Sequence, residues 1–238
     1  MMDGSVTPRT QPRQEDSVLR TRGLLIPKHP DILRGRIRKA LRAGTYEQKK
    51  SDALLRAVNE GDTVVELGGG IGYLSALVAK KRHIKAAHVF EPNPELGDYI
   101  TALHAANGLD NTTLHHAVLG ARKGKPVPFY RRDNILAGSL NKDTKDGVVA
   151  EEQVEVLGLN ATLKDLKPDV LVCDIQGDEA ALLPHLKYDG LHTAIIELHP
   201  QWIGPSGVQL VFDAMQANGL TYFPRWSNGT VVSFRKGW

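Results

Sequence analysis

The segment Val64-Val65-Glu66-Leu67-Gly68-Gly69-Gly70-Ile71-Gly72 constrains the fold more than any other stretch of this 238-residue chain. An apolar, β-branched run ends beside an acid, crosses a glycine-rich turn and enters a helical pattern at Ile71. Glycines in such a turn adopt positive φ and let a ligand approach the backbone, while free amides at the helix start favour a carboxylate or phosphate. A dinucleotide fingerprint, G-x-G-x-x-G/A counted from Gly68, meets bulky Tyr73 where its third small residue belongs. A phosphate-binding loop needs a Gly-Lys-Ser/Thr ending, which is absent. What remains is E-x-G-x-G-x-G with Glu66 at the strand end. An acid at the tip of the next strand, about 20 residues beyond the turn, can accept both hydroxyls of a ribose. Glu91, in Val89-Phe90-Glu91-Pro92-Asn93, stands there.

Around this turn the chain alternates short buried strands with helical patterns, the signature of an α/β fold. Strands are predicted over 63–67, 87–90, 113–117, 170–173 and 194–197, with weaker candidates at 126–130 and 153–157. Asn93 and Pro94 cap and open a helix in which Leu96, Tyr99, Ile100 and Leu103 share one face before Gly108 ends it. Val208, Val211, Phe212 and Met215 mark a last helix, and 221–223 and 231–234 finish as an antiparallel pair around Ser227-Asn228-Gly229. The expected architecture is a mostly parallel, seven-stranded, Rossmann-like sheet with an antiparallel C-terminal strand. Residues 1–22 are expected to be a flexible tail, 23–60 an N-terminal helical cap and 61–238 the main domain, with a polar insertion at about 120–165.

Hydrophobic residues at 41% and charged residues at 24% exclude a disordered chain. Residues 1–60 carry a net charge of +6 and the remainder −3. Arg34, Arg36, Arg38, Lys39 and Arg42 fall in a predicted helix over 31–43 whose apolar stripe is Ile32, Leu33, Ile37 and Leu41. With no aromatic residues interleaved, the charges read first as a solvated face and second as a contact for nucleic acid. The single Cys173 makes no intrachain disulfide, and no cysteine and histidine cluster has zinc-site spacing. A reducing, cytoplasmic setting without a membrane span is expected, and homo-oligomerisation stays open.

The E-x-G-x-G-x-G turn followed by Glu91 resembles the first motifs of class I methyltransferases that use S-adenosylmethionine. More narrowly, the chain resembles the FkbM methyltransferases over most of residues 44–200. The resemblance is carried by VVELGGGIGYLS (64–75), VFEPNP (89–94), ANGL (106–109), AVLG (117–120), DIQGDE (174–179) and IELHP (196–200). It implies a Rossmann-like methyltransferase domain, S-adenosylmethionine as cofactor, and a hydroxyl of a sugar, polyketide or other small molecule as acceptor. The family usually reads D-x-E-G-x-E after the fourth strand, where this chain has Gln176.

Cofactor-binding residues are expected to be Glu66, Gly68 and Gly70 framing the amino-acid end, Glu91 at the ribose, His116 and Ala117 bordering the adenine, and also Gly72, Pro92 and Asp174. Tyr46 and Glu47 are candidates for a cap over the cofactor. The catalytic candidates are His199 as base, because its ordinary pKa lies near neutrality, then Asp174 and Glu197. Asp174, Glu179, Glu197 and His199 offer ligand atoms for a metal, but their spacing does not demand one, and no metal is assigned. The expected partner is a small-molecule or glycan acceptor, with nucleic acid set aside. The alternative is an RNA-binding or RNA-modifying protein that uses the basic N-terminal helix.

Overall fold

The computed structural model describes residues 17–142 and 147–237. The expected tail largely falls outside them, at residues 1–16. Its last part is ordered differently from the expectation: β1 (Val18–Thr21) and β2 (Leu24–Pro27) form an antiparallel hairpin. The turn between them is pinned to the second of the helices that follow, since Arg22 donates to Ser51 Oγ at 2.6 Å and pairs with Asp52 at 2.8 Å. Two helices follow, α1 (Gly35–Ala43) and α2 (Gln48–Ala57). The first begins four residues later than its charge and apolar pattern predicts, because Asp31 and Ile32 are taken into a turn over the His29 side chain.

The main domain continues with β3 (Thr63–Leu67), α3 (Tyr73–Lys81), β4 (Ala86–Phe90), α4 (Pro94–Ala106) and β5 (Thr112–His115). Next come β6 (Ala117–Gly120), β7 (Gly124–Arg132) and β8 (Val148–Gly158), then α5 (Leu159–Leu166) and β9 (Val170–Cys173). The chain closes with α6 (Glu179–Leu182), β10 (Thr193–Glu197), α7 (Pro200–Ala217), β11 (Thr221–Tyr222) and β12 (Val231–Arg235). The central sheet has the order β11-β12-β10-β9-β3-β4-β5. All neighbours from β10 to β5 are parallel, and β12 runs antiparallel to both β10 and β11. Parallel strands buried on both faces explain the unbroken apolar runs of β3 and β9, whose residues are all buried.

Two apolar layers sandwich this sheet. One joins Val64, Val89, Leu77 and Ile100 to the hairpin residues Leu24 and Ile26, and the other joins Leu171, Ile196 and Phe234 to Met215 and Val211. In the polar stretch between 120 and 165 both weaker strand candidates form, 126–130 within β7 and 153–157 within β8, and with β6 they make a separate three-stranded sheet. The run predicted as one strand over 113–117 is accordingly divided, with β5 in the central sheet and β6 opening the small one. Residues 202–207 belong to α7, whose helical path is interrupted only at Gly204, with φ 63°, ahead of Pro205.

Candidate active site

The order of strands reverses direction beside β3, and ligands of open α/β sheets bind outside the strand tips at such a point. There the chain encloses a cavity of about 350 Å³. The sequence-predicted residues Glu66, Gly68, Gly70, Glu91, Pro92, Ala117, Asp174 and Glu197 all line it. The glycine turn owes its shape to its neighbours. Gly68 and Gly69 donate to the Phe90 carbonyl at 2.9 and 3.3 Å, which ties the turn to the tip of β4. Gly68 has φ +83°, and a Cβ there would collide with the carbonyl oxygen of Asp174.

Glu91 is 5% exposed, yet it is well partnered on one side: Oε2 accepts from Gly70 N–H at 2.9 Å and Oε1 from Asn93 N–H at 2.9 Å. Burial, opposed by these two bonds, raises its carboxyl to about 7. Each oxygen keeps a further lone pair. Phe90, Leu96, Ala117 and Leu119 form an apolar wall next to it, continued by Phe129 and Leu136 from the small sheet and its connecting loop. Glu66 is deeper still; burial lifts its carboxyl to about 8 although Oε2 accepts from Ser75 N–H at 3.2 Å.

At the tips of β9 and β10 the sequence pattern misses the central group. Lys50, in the first turn of α2, reaches into the cavity with its side chain 5% exposed. Its ammonium pairs with Glu47 at 2.6 Å, with Glu197 at 2.7 Å and with Asp174. Burial pushes the Asp174 carboxyl up, but the Lys50 charge and hydrogen bond hold it below its ordinary value. Burial works against the Lys50 ammonium too, yet the facing carboxylates, Asp174 foremost, keep it well above the usual lysine range. Asp174 is therefore a paired carboxylate at its strand end. Its other oxygen accepts from the Gln176 amide at 3.1 Å. An acid at position 176 would bring one more negative charge to this corner, and the amide supplies a donor instead.

Three expected site residues stand elsewhere. His116 lies over Gly97 of α4, whose missing Cβ makes room for the ring, and is outside the cavity lining. Gly72 caps α3 with φ 75° and also does not line the cavity. His199 sits behind Asp174, its Nε2 3.6 Å from Oδ1, and stacks on Trp202. The wholly buried Glu179 carboxylate accepts from both the His199 backbone at 2.8 Å and Nδ1 at 3.1 Å. Burial favours the neutral ring, but the Glu179 hydrogen bond and the nearby acids raise its pKa overall. A ring held in this way orients Asp174 and is badly placed to take a proton in the cavity. Tyr46 packs edge-on against Tyr73 and lines the cavity, as does Glu47. Cys173 is buried, and burial raises its thiol well above the ordinary value.

The strand order, antiparallel seventh strand and glycine turn make up the Rossmann-like class I methyltransferase fold. No family model matches the chain. Over 83 residues the chain is 43% identical to ribosomal RNA small subunit methyltransferase A of Anaeromyxobacter dehalogenans (strain 2CP-C), a match covering 32% of this chain and 27% of that protein. The match thus spans about a quarter of that relative's length. Among solved structures, the chain is similar to a ribosomal protein L11 methylase from Lactobacillus delbrueckii subsp. bulgaricus, with 16% identity, 82% of this chain and 80% of that chain covered, and a TM-score of 0.46. TYW2 of M. jannaschii, in complex with AdoMet, is 15% identical over 92% of this chain and 86% of that chain, with a TM-score of 0.47. Likeness at that level speaks to neither substrate nor mechanism. The sequence-based expectation that set nucleic acid aside is overturned by the ribosomal RNA methyltransferase match. Among the described residues, no helix is long and apolar enough to cross a membrane.

Proposed function

We propose that this protein is an S-adenosylmethionine-dependent methyltransferase that acts on RNA. The observation that carries the cofactor reading is Glu91, a buried carboxylate at a strand tip whose remaining lone pairs face a cavity with an apolar wall. That combination fits a ribose diol beside a purine. Glu66, at the other side of the glycine turn, fits the ammonium of the amino-acid end. The bound donor supplies an electrophilic methyl group on a sulfonium. The chain itself supplies orientation, exclusion of water, and carboxylates at the β9 and β10 tips that accept hydrogen bonds from an approaching acceptor. Grouping with the FkbM methyltransferases is supported by the order of six sequence motifs.

RNA as acceptor is supported by the ribosomal RNA methyltransferase relative and by the surface of α1, where Arg34, Arg36, Arg38, Lys39 and Arg42 are all exposed. That helix leads through Gly44 directly to Tyr46 and Glu47 in the cavity wall. Incubation with methyl-labelled donor, total RNA and a small-metabolite extract tests the reading. Label is expected in RNA. The triple charge reversal R36E/R38E/K39E is expected to weaken RNA binding roughly tenfold or more at moderate salt and to flatten the salt dependence. Label confined to low-mass products would remove RNA as the acceptor while leaving the donor reading intact.

His199 is a positioning group in this scheme. His199→Ala is expected to leave donor affinity unchanged in calorimetry, because the ring is outside the cavity. It should lower unfolding stability by about 1–3 kcal/mol, because Glu179 loses a partner while fully buried. A large loss of donor affinity with unchanged stability would return His199 to the binding site.

A further inference from the structure

Glu47 precedes α2, Asp174 follows β9, and Glu197 ends β10. One carboxylate oxygen from each comes within 4.8 Å of the others, a cluster of hard oxygen donors of the kind that holds a divalent cation. This cluster already has an occupant. The Lys50 ammonium contacts all three acids, and its three N–H donors match three acceptors one for one. The fit is local as well as long-range, since Glu47 and Lys50 lie one helical turn apart while Asp174 and Glu197 come from the sheet.

Charge accounting shows why something positive must be there. Three carboxylates gathered in a mostly buried corner repel one another, and burial alone would drive them to protonate. With Lys50 in place, Asp174 stays below its ordinary value despite burial. One ammonium still leaves the cluster net negative. The His199 ring, 3.6 Å from Asp174 and fixed by Glu179, adds positive character on the far side. Lys50 stays protonated against these acids, so it neither gives up nor takes a proton in the working range.

We propose that Lys50 is the built-in cation of a Glu47, Asp174 and Glu197 cage, a positioning residue that stands where a metal ion would otherwise bind. The lysine makes the cage metal-independent and holds Asp174 and Glu197 fixed at the cavity wall. It also fastens the cap helix α2 to the tips of β9 and β10. Removing the lysine head group opens a space ringed by three acids, which a divalent ion can fill.

The test uses Mn²⁺ alone and the full chain, so it does not depend on the identity of donor or acceptor. Titrated Mn²⁺ is followed by the loss of the free-ion electron paramagnetic resonance signal for the parent, Lys50→Ala and Lys50→Arg. Lys50→Ala is expected to take up one equivalent of Mn²⁺ and to gain thermal stability from it. The parent and Lys50→Arg, which keep a cation in place, are expected to take up none at the same concentrations. Lys50→Ala that refolds cooperatively only with Mn²⁺ present also supports the proposal. Equal Mn²⁺ uptake by the parent and Lys50→Ala overturns it. So does a Lys50→Ala chain that takes up no Mn²⁺, or that Mn²⁺ neither stabilises nor refolds. A merely structural ion pair predicts lost stability in Lys50→Ala without any response to the metal.

Discussion

Glu91→Ala is expected to lose more than 100-fold in affinity for S-adenosylhomocysteine, measured by calorimetry against the parent protein. In the proposed cofactor reading the carboxylate accepts hydrogen bonds from both ribose hydroxyls. Each bond to a charged acceptor contributes about 1.5–3 kcal/mol, and two together exceed the roughly 2.7 kcal/mol that corresponds to a hundredfold change. A second loss adds to the first, because Gly70 and Asn93 N–H groups each donate to Glu91 at 2.9 Å and lose that partner. The glycine turn then loses one of the bonds that fix its backbone at Gly70. A melting curve recorded alongside separates loss of the site from loss of the fold, since the apolar layers around Val89 and Ile100 do not depend on this carboxylate. Parent-like heat from a folded Glu91→Ala protein would remove the nucleoside from this cavity.

The same residue illustrates what a sequence can reveal. Glu66, the glycines and Glu91 are legible because their spacing follows from strand length, turn geometry and one crossover helix, all of which are local. The central sheet is legible for the same reason: β3, β9 and β10 are buried on both faces and read as unbroken apolar runs. Lys50 is not legible. Its neighbours Lys49 and Gln48 are exposed, and nothing in the run Glu47-Gln48-Lys49-Lys50 tells which lysine turns inward. Only the sheet, more than 120 residues away in sequence, decides that by delivering Asp174 and Glu197 to one side of α2.

The other misreadings share this cause. Thr113 to Ala117 satisfies the pattern of a single strand, yet pairing partners divide it: β5 joins β4, and β6 joins β8. Between 120 and 165 the two weaker strand candidates, 126–130 and 153–157, fall inside β7 and β8, but their polar composition hides how far the strands extend, because the antiparallel pairing needs only one buried side, met by Phe129, Val154 and Val156. That small sheet also brings Phe129 and Leu136 to the cavity wall, which no motif announces. His199 looks like a base because histidine titrates near neutrality. Its actual environment is set by Glu179, twenty positions earlier, whose carboxylate holds both the backbone and the ring.

Thermal stability of the ligand-free protein is expected to fall between pH 6 and pH 8.5, and Glu66→Gln is expected to flatten that fall. Burial raises Glu66 from an ordinary 4.5 to about 8 and Glu91 to about 7. Acids with raised folded-state pKa values bind protons more tightly folded than unfolded, so the folded state holds the excess protons and stability declines as pH rises. The decline for Glu66 begins near 4.5, where the unfolded chain ionises, and is complete above about 8. The full linkage for such shifts is on the order of 3–5 kcal/mol for each group. In Glu66→Gln the amide oxygen can keep the Ser75 N–H bond while no charge is ever buried. The variant should therefore exceed the parent in melting temperature at pH 8.5 and approach it at pH 5.5, with a slope remaining from other groups whose pKa is raised, Glu91 and His199 among them. A cationic amino group beside Glu66 reverses the preference, because it favours the ionised carboxylate. Donor binding near pH 7 should consequently release close to a proton, visible as a dependence of calorimetric heat on buffer ionisation enthalpy, and Glu66→Gln should release less. A parent melting temperature that climbs from pH 6 to 8.5, or an identical slope in Glu66→Gln, would show that Glu66 is not buried against the glycine turn in the manner described.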